Sequence, residues 1–173
     1  MHIQLTVGER FFDFISKKRR KSPGEVVMVI RRPGGKVLLH TKDFYPNGVF
    51  RLPSGTMKRG ELPEESFKRE LCEETGFDVG IDRILGTVHF MFEYGDKRVD
   101  YFSYIILSNE AVGEPKPEDG DEGITEYLEI DPCDLGNIAE QLRCLTGDWS
   151  DWGRFRAPAH EITQKDICSP DQD

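Results

Sequence analysis

The chain has 173 residues and a formal net charge of −9 at pH 7, and its length suits one globular domain. Its apolar runs are all shorter than the roughly 18 residues that a membrane span requires, so we expect no transmembrane segment. The acidic balance argues against bulk binding to nucleic acid, although a bound divalent cation could reverse the local sign for a phosphate-bearing small molecule.

The N-terminal residues and the cysteines favour a cytoplasmic protein. In residues 1–21 the basic residues follow the apolar ones, and no small-residue cleavage site resembles that of a secretory signal. The four cysteines show no CxxC spacing and no nearby histidine pair. We therefore predict reduced thiols and no zinc site at Cys72, Cys133, Cys144 and Cys168.

The first predicted elements are a helix and two strands. Residues 9–21 predict an amphipathic helix that ends at Ser22-Pro23-Gly24. Its basic block, KKRRK, suggests a nucleic-acid or nuclear-targeting segment, but we prefer a solvated helix end, where cations complement the helix dipole. EVVMVIRR and KVLLHT then predict two strands that form a hairpin across residues 25–41.

The second half of the chain mixes strands and helices. ILGTVHFMFEY and KRVDYFSYIILS predict two strands joined at Gly95-Asp96, TEYLEI predicts another strand, and NIAEQLRCL predicts a helix. The segment from Asp151 is ambiguous, and its polar residues from about 164 are expected to fray. The order of elements predicts one α+β or α/β domain, residues 1–173, around a mixed sheet.

Residues 61–76, ELPEESFKRELCEETG, predict a helix from about residue 63 to 75. Pro63 suits the first turn, and Gly76 suits the position just past the end. At helical spacing, Phe67 and Leu71 mark the stripe that is expected to be buried.

Glu70, Glu73 and Glu74 fall on an adjoining arc of this helix. The first and third form a like-charged i,i+4 pair, and the last two lie at the negative end of the helix dipole. Mg²⁺ or Mn²⁺ prefers carboxylate oxygens and would turn this repulsion into shared attraction. The alternative is a solvated acidic face. Arg69 could pair with Glu73 or another carboxylate and hold the cluster in place.

From Gly55 to Phe77 the sequence reads GTMKRGELPEESFKRELCEETGF. It fills every fixed position of the Nudix box, namely Gly55, Glu61, Arg69, Glu70, Leu71, Glu73, Glu74, Gly76 and Phe77. The chain therefore resembles the Nudix hydrolase family, and one conservative departure is Ser54, where many members have another glycine. The resemblance implies an α/β/α sandwich around a mixed sheet.

The resemblance also implies a function: hydrolysis of a nucleoside diphosphate linked to another group, with Mg²⁺ or Mn²⁺ as cofactor. Carried over by position, it makes Arg69 and Glu61 orienting partners. It implies metal ligation by Glu70, Glu73, Glu74 and the Gly55 carbonyl.

The box alone does not assign the residue that accepts the proton of the attacking water, and Glu70 is one candidate. Many Nudix enzymes place that base, or a further metal ligand, on a downstream loop. In GDEGITEYLEI the carboxylates Glu122 and Glu126 resemble such a segment, and Glu122 is our preferred candidate. The alternative is an ordinary acidic loop.

Residues outside the box are expected to select the substrate. Arg51 directly precedes LPSG and could reach a phosphate. Tyr94 resembles, by its spacing from Phe77, an aromatic residue of diadenosine polyphosphate hydrolases, although we prefer a packed strand tyrosine. In GRFRAPAH, Arg154 and Arg156 could contact phosphate beside stacking aromatic rings, but packing of this segment on the core is the preferred interpretation.

The leading hypothesis is a pyrophosphohydrolase that acts on a nucleotide, a dinucleoside polyphosphate or a nucleotide sugar such as ADP-ribose. The alternatives are a nucleotide-sensing module with the same fold and, because of KKRRK, an RNA 5′-polyphosphate hydrolase. The expected partner is a small-molecule nucleotide, without a membrane or bulk nucleic acid, and a homodimer is compatible with the sequence.

Overall fold

A computed structural model describes residues 1–118 and 123–168. Its strands are β1 (His2–Thr6), β2 (Gly24–Val29), β3 (Val37–Lys42), β4 (Ser54–Thr56), β5 (Ile81–Tyr94), β6 (Lys97–Ser108) and β7 (Ile124–Ile130). Its α-helices are α1 (Glu9–Lys21), α2 (Pro63–Thr75), α3 (Leu135–Arg143) and α4 (Ser150–Ile167). None of the helices in these two ranges is long and apolar enough to cross a bilayer.

The strands form a mixed five-stranded sheet in the order β1-β5-β6-β2-β4. Strands β1 and β5 are parallel, as are β2 and β6, whereas the pairs β5–β6 and β2–β4 are antiparallel. Strands β3 and β7 make a separate antiparallel pair. The predicted mixed sheet is confirmed.

The predicted hairpin across residues 25–41 forms only at its turn, where Arg31 and Val37 make an antiparallel bridge, and its two strands then separate into different sheets. Strand β2 lies inside the five-stranded sheet, while β3 pairs with β7. Two backbone hydrogen bonds close the turn between β2 and β3. The Leu38 N–H donates to Ile30 O at 3.0 Å, and the Arg32 N–H donates to Lys36 O at 2.8 Å. All six residues of β2 are buried, so this strand needs neighbours and cover on both sides.

The side chains of β2 alternate between two hydrophobic cores. Val27 and Val29 join the core formed with residues of α1, α3 and α4. Val26 and Met28 join the second core, which includes Phe67 of α2. Helices therefore cover both faces of the sheet, which is the α/β/α sandwich that the sequence predicts.

The C-terminal segment is helical and cross-linked. Helix α4 continues to Ile167, past residue 164, where the polar tail was expected to begin. Cys168 forms a disulfide with Cys133, so the prediction of reduced thiols is wrong for these two, while Cys72 and Cys144 are free. Cys133 and Cys168 are 35 residues apart in the sequence. The pairing is not evident from the sequence, because the two cysteines meet only when α4 folds back towards Cys133. Disulfides are disfavoured in reducing compartments such as the cytoplasm. The cytoplasmic location therefore stays a prediction.

Candidate active site

Helix α2 carries the predicted carboxylates and is fixed at its C-terminal end and along its buried face. Gly76 adopts a left-handed conformation with φ of 69°, and its N–H donates to Cys72 O at 2.8 Å. Phe67 and Leu71 are fully buried against the sheet. The position of this face determines where the adjoining arc of glutamates points.

Arg69 connects three of the acidic residues. Its Nε and Nη2 donate to the two carboxylate oxygens of Glu61 at 2.8 and 2.9 Å. Its Nη1 donates to Glu70 at 2.7 Å and to Glu73 at 3.1 Å. The hydrogen bonds from Arg69 lower the pKa of Glu61 to about 2, so this carboxylate is ionised at neutral pH. One guanidinium thus holds Glu61, Glu70 and Glu73 in a fixed arrangement, and these three residues together with Glu74 form the acidic cluster.

The carboxylate of Glu70 packs directly against the backbone of β4 at Gly55. A Cβ atom added to Gly55 would lie 1.9 Å from Cδ of Glu70 and 2.1 Å from its Oε2. The φ angle of Gly55 is not positive, so the position requires glycine for space rather than for backbone conformation. The Gly55 backbone and the Glu70 carboxylate thus form a narrow cradle. A side chain on residue 55 would overlap with that carboxylate.

Glu74 lies one turn further along α2 and is only 1% exposed. Lys42 Nζ lies 3.1 Å from its Oε1, and His40 Nδ1 lies 3.7 Å from its Oε2. Burial lowers the pKa of His40 well below its usual value, which leaves the ring neutral. The Tyr127 hydroxyl donates to the Glu74 carbonyl. Glu74 thereby contacts both strands of the two-stranded sheet, β3 through His40 and Lys42 and β7 through Tyr127.

A cleft of about 370 Å³ opens beside Gly55 and Glu70. It is lined by cationic and aromatic side chains, namely Lys18, Lys42, Arg51, Arg156, Phe14, Phe44, Tyr45 and Trp152. A neighbouring cleft of about 320 Å³ shares Phe14, Phe44 and Trp152. Glu70, the glutamate of α2 that lines this cleft, thus faces a surface suited to a ligand with anionic and flat aromatic parts.

The cations of the cleft differ in their partners. Lys42 pairs with Glu74, and Arg156 pairs with Glu25 at 2.6 Å. Arg51 forms no ion pair with a carboxylate in the part of the chain that the structure describes. It donates instead to neutral oxygens, those of Tyr45, Leu52 and Ser54, at distances of 2.5 to 2.9 Å. Its positive charge is therefore available to an anionic ligand.

Beneath the cleft, Glu25 and Arg156 form a buried ion pair, with 1% and 7% of their surfaces exposed. Burial alone would raise the pKa of Glu25, but the charges of Arg156 and Lys18 hold that pKa below its usual value. The Ser103 hydroxyl also donates to Glu25, at 3.0 Å. The pair fastens α4 to β2 and fixes Arg156 at the floor of the cleft.

His160 follows Arg156 by one helical turn and ties α4 to the segment that enters the box. The Leu52 N–H donates to its Nε2 at 3.0 Å, and its Nδ1 lies 3.0 Å from Arg156 O. Burial lowers the pKa of His160 to about 3, so the ring is neutral at physiological pH. These contacts give His160 a structural role next to the cleft.

The structure brings most of the predicted site residues into the acidic cluster or its cleft: Gly55, Glu61, Arg69, Glu70, Glu73, Glu74, Arg51 and Arg156. Tyr94 lies elsewhere, at the hairpin end of β5, where its ring packs on Phe12 with 6.0 Å between centroids. Arg154 also lies elsewhere and donates to Thr6 O and Asp151, each at 3.0 Å.

The structure describes only one of the two downstream carboxylates that the sequence suggests. Glu122 lies outside the described residues. Glu126 is exposed on β7, opposite Thr41 of β3, and lines a pocket with Lys42 and Asp43.

The sequence interpretation misses several residues that line the cleft. Lys18 is treated only as part of a solvated basic block, and Phe14 only as part of an apolar helix face. Their i,i+4 spacing is the signal that could have linked them. Lys42, Phe44 and Tyr45 have no comparable signal, because they follow one another in an ordinary strand and loop.

The NUDIX domain model matches residues 21–146, well over half of the chain. The chain belongs to the Nudix family. Over 114 residues it is 37% identical to 8-oxo-dGTP diphosphatase of Haemophilus influenzae, a match covering 64% of this chain and 78% of that protein. Over 153 residues it is 28% identical to ADP-ribose pyrophosphatase of Methanocaldococcus jannaschii, covering 84% and 88% of the two chains.

A solved structure supports the same fold. The solution structure of the E. coli ORF135 protein aligns with a TM-score of 0.59 at 17% identity, covering 88% of this chain and 96% of that one. Together with the complete box and the relatives, this makes the protein a Nudix hydrolase of the pyrophosphohydrolase kind. Helix α4 and nearly all of α1 lie outside the segment that matches the Nudix model.

Proposed function

We propose that this Nudix hydrolase cleaves the pyrophosphate linkage of a nucleoside diphosphate joined to another group, with Mg²⁺ or Mn²⁺ as cofactor. The proposal is carried by one observation, the position of the acidic cluster beside a cleft lined with cations and aromatic rings. A nucleotide derivative offers the matching parts, because its phosphates are anionic and its base is a flat aromatic ring.

The donor set fits a hard divalent cation. Glu70, Glu73 and Glu74 would supply carboxylate oxygens, and Gly55, against which the Glu70 carboxylate packs, would supply its backbone carbonyl. The narrow cradle between Gly55 and Glu70 supports this fit, because it leaves no space for a side chain at position 55. Oxygen donors of this kind suit Mg²⁺ and Mn²⁺ better than softer metals.

The protein's own residues would divide the work as follows. Glu70, Glu73, Glu74 and the Gly55 carbonyl would hold the cation, which supplies charge neutralisation for the diphosphate and a bound water of lowered pKa. Arg69, itself bound by Glu61, would keep Glu70 and Glu73 oriented. Glu70 and Glu122 are the two proposed acceptors for the proton of that water.

Substrate recognition would fall to the cleft. Arg51 would bind a phosphate oxygen, since its charge has no carboxylate partner among the described residues. The aromatic rings that line the cleft would pack against the base. Tyr94 and Arg154 have no role in this proposal, because both lie away from the cleft.

A substrate panel tests the proposal. It includes 8-oxo-dGTP and ADP-ribose, after the names of the two relatives, together with ordinary nucleoside triphosphates and a dinucleoside polyphosphate, each with Mg²⁺ or Mn²⁺. We expect release of a nucleoside monophosphate from at least one of them, identified by mass spectrometry. Absence of any phosphate-bearing product across the panel would refute the proposal.

Two other outcomes of the same experiment would point to the alternative functions. Thermal stabilisation by a nucleotide without turnover would favour a sensing module. Turnover of triphosphorylated RNA that falls steeply with salt would favour an RNA 5′-polyphosphate hydrolase, because several phosphate contacts produce such a dependence.

The cradle at Gly55 gives a prediction of its own. Gly55→Ala should displace the Glu70 carboxylate and reduce turnover about 100-fold, since a shift of about 1 Å in a positioned group can cost that much. Gly86→Ala is the matched control, because its added Cβ would meet Ile162 Cγ2 at an ordinary 3.5 Å. Steady-state kinetics and thermal unfolding of both variants provide the measurement. Undiminished turnover in Gly55→Ala would show that the close packing has no functional importance.

A further inference from the structure

Helix α1 lies almost entirely outside the matched Nudix segment, yet it forms one wall of the cleft. Phe14 and Lys18 are four positions apart in the sequence and so lie on the same face of α1. Both line the cleft together with Gly55 and Glu70. Lys18 Nζ lies 5.5 Å from the centroid of the Phe14 ring. The helix thus presents a cation and an aromatic ring to the acidic cluster.

The ammonium group of Lys18 has hydrogen-bonding capacity left for a ligand. It donates to the hydroxyl of Thr56, the residue after Gly55, at 3.3 Å. Within residues 1–118 and 123–168, no ion pair joins it to a carboxylate, in contrast to Lys42 and Arg156. An ammonium has three N–H donors, so an anion bound beside Thr56 would complete its coordination.

Lys18 is also half-buried, which strengthens its interaction with a bound anion. Burial lowers its pKa to about 8, so most of the population is still protonated at neutral pH. A charge that is partly removed from water gains more from an oppositely charged ligand than a fully solvated one does. This distinguishes Lys18 from its neighbours Lys17 and Arg19, which are exposed.

Phe14 provides the aromatic part of the same wall. It is 41% exposed, and Phe44, which lines the same cleft, is 61% exposed. Both rings line the cationic cleft and the adjoining one, whose lining also includes Trp149, Trp152 and the charged residues Arg10 and Asp148. Large apolar side chains exposed together at the mouth of a cleft are typical of a ligand-binding site.

We propose that Phe14 and Lys18 are substrate-positioning residues, in which Lys18 binds a phosphate oxygen beside Thr56 and Phe14 packs on the base of the same nucleotide. This inference rests on the proposed function, because it concerns the same site. It makes α1 a specificity element that favours a phosphate joined to a flat aromatic ring. Inorganic pyrophosphate and ring-free sugar phosphates would bind more weakly.

Direct binding of ADP, with Ca²⁺ in place of Mg²⁺ or Mn²⁺ to neutralise the diphosphate, tests this proposal without relying on turnover. We expect Lys18→Met to weaken ADP binding about tenfold or more in titration calorimetry, because a charge-assisted hydrogen bond is lost. Lys18→Arg should restore part of the affinity, and Lys17→Met on the exposed side should stay within about twofold of wild type. Adenosine, which has no phosphate, should bind equally to all four proteins.

Phe14→Leu tests the aromatic half separately. It should weaken the binding of both ADP and adenosine several-fold and leave the binding of inorganic pyrophosphate unchanged, because stacking on a base contributes about 1–3 kcal/mol. With a substrate that is turned over, both variants should raise KM more than they lower kcat. Circular dichroism and thermal unfolding verify that each variant is folded.

The two proposals fail in different ways. Wild-type protein that binds ADP but cleaves no nucleotide would refute the proposed function and leave the role of α1 standing. Wild-type protein that cleaves a nucleotide, with Lys18→Met equal to Lys17→Met in ADP affinity and KM, would refute the role of Lys18 alone. Failure of wild type to bind ADP at millimolar concentration would also overturn the inference.

Discussion

Glu70→Gln is expected to reduce turnover by about 10²- to 10⁴-fold while the protein stays folded. Glutamine has nearly the same size, so it fits the cradle at Gly55 and can still accept a hydrogen bond from Arg69. It lacks the negative charge and the basicity that the proposed mechanism requires of Glu70. Steady-state kinetics on the best substrate of the panel, with Mg²⁺ and with Mn²⁺, provide the measurement.

Glu64→Gln is the matched control for this variant. Glu64 is an exposed glutamate in the first turn of the same helix and lies outside the acidic cluster. Its replacement should change turnover by less than about twofold, since a single solvated surface charge contributes little. If Glu70→Gln remained as active as Glu64→Gln, the assignment of Glu70 to the reaction would be untenable.

Glu25→Gln is expected to lower the free energy of unfolding by about 3–5 kcal/mol. The change leaves the buried guanidinium of Arg156 without its carboxylate partner and loosens the attachment of α4 to β2. Urea unfolding followed by circular dichroism provides the measurement. Glu161→Gln is the control, because it removes one partner of the exposed pair with Arg143 and should cost less than about 1 kcal/mol.

The same pair predicts how stability depends on pH. The pKa of Glu25 is held below its usual value of 4.5 in the folded protein, so the pair contributes fully above pH 4.5. That contribution is lost as the pH falls through the folded-state pKa. Between pH 7 and pH 3, the wild type should therefore lose more stability than Glu25→Gln does. Parallel acid titrations of the two proteins would contradict this account.

The sequence predicts elements best where local signals mark both ends. Helix α2 is predicted from about 63 to 75 and is found at Pro63–Thr75, because Pro63 and Gly76 mark its limits. The β5–β6 hairpin is predicted because Gly95-Asp96 leaves only a two-residue connection. The pairing of β2 and β3 is predicted wrongly, because strand partners depend on contacts distant in sequence.

The same distinction holds for the site. The acidic cluster follows from the sequence because Arg69, Glu70, Glu73 and Glu74 lie on one helix, where spacing alone sets their geometry. The cleft does not, because α1 supplies Phe14 and Lys18 while α4 supplies Trp152 and Arg156. Only the packing of these helices against the sheet brings the four residues together. The Cys133–Cys168 disulfide escapes prediction for the same reason.

Mn²⁺ binding tests the central claim, that the glutamates of α2 form a site for a divalent cation. We expect electron paramagnetic resonance titrations to show saturable binding to wild-type protein. The Glu73→Gln/Glu74→Gln double variant should bind at least about 100-fold more weakly, since each lost carboxylate removes a charged ligand. An Mn²⁺ affinity in the folded double variant equal to that of wild type would contradict the metal site and the mechanism built on it.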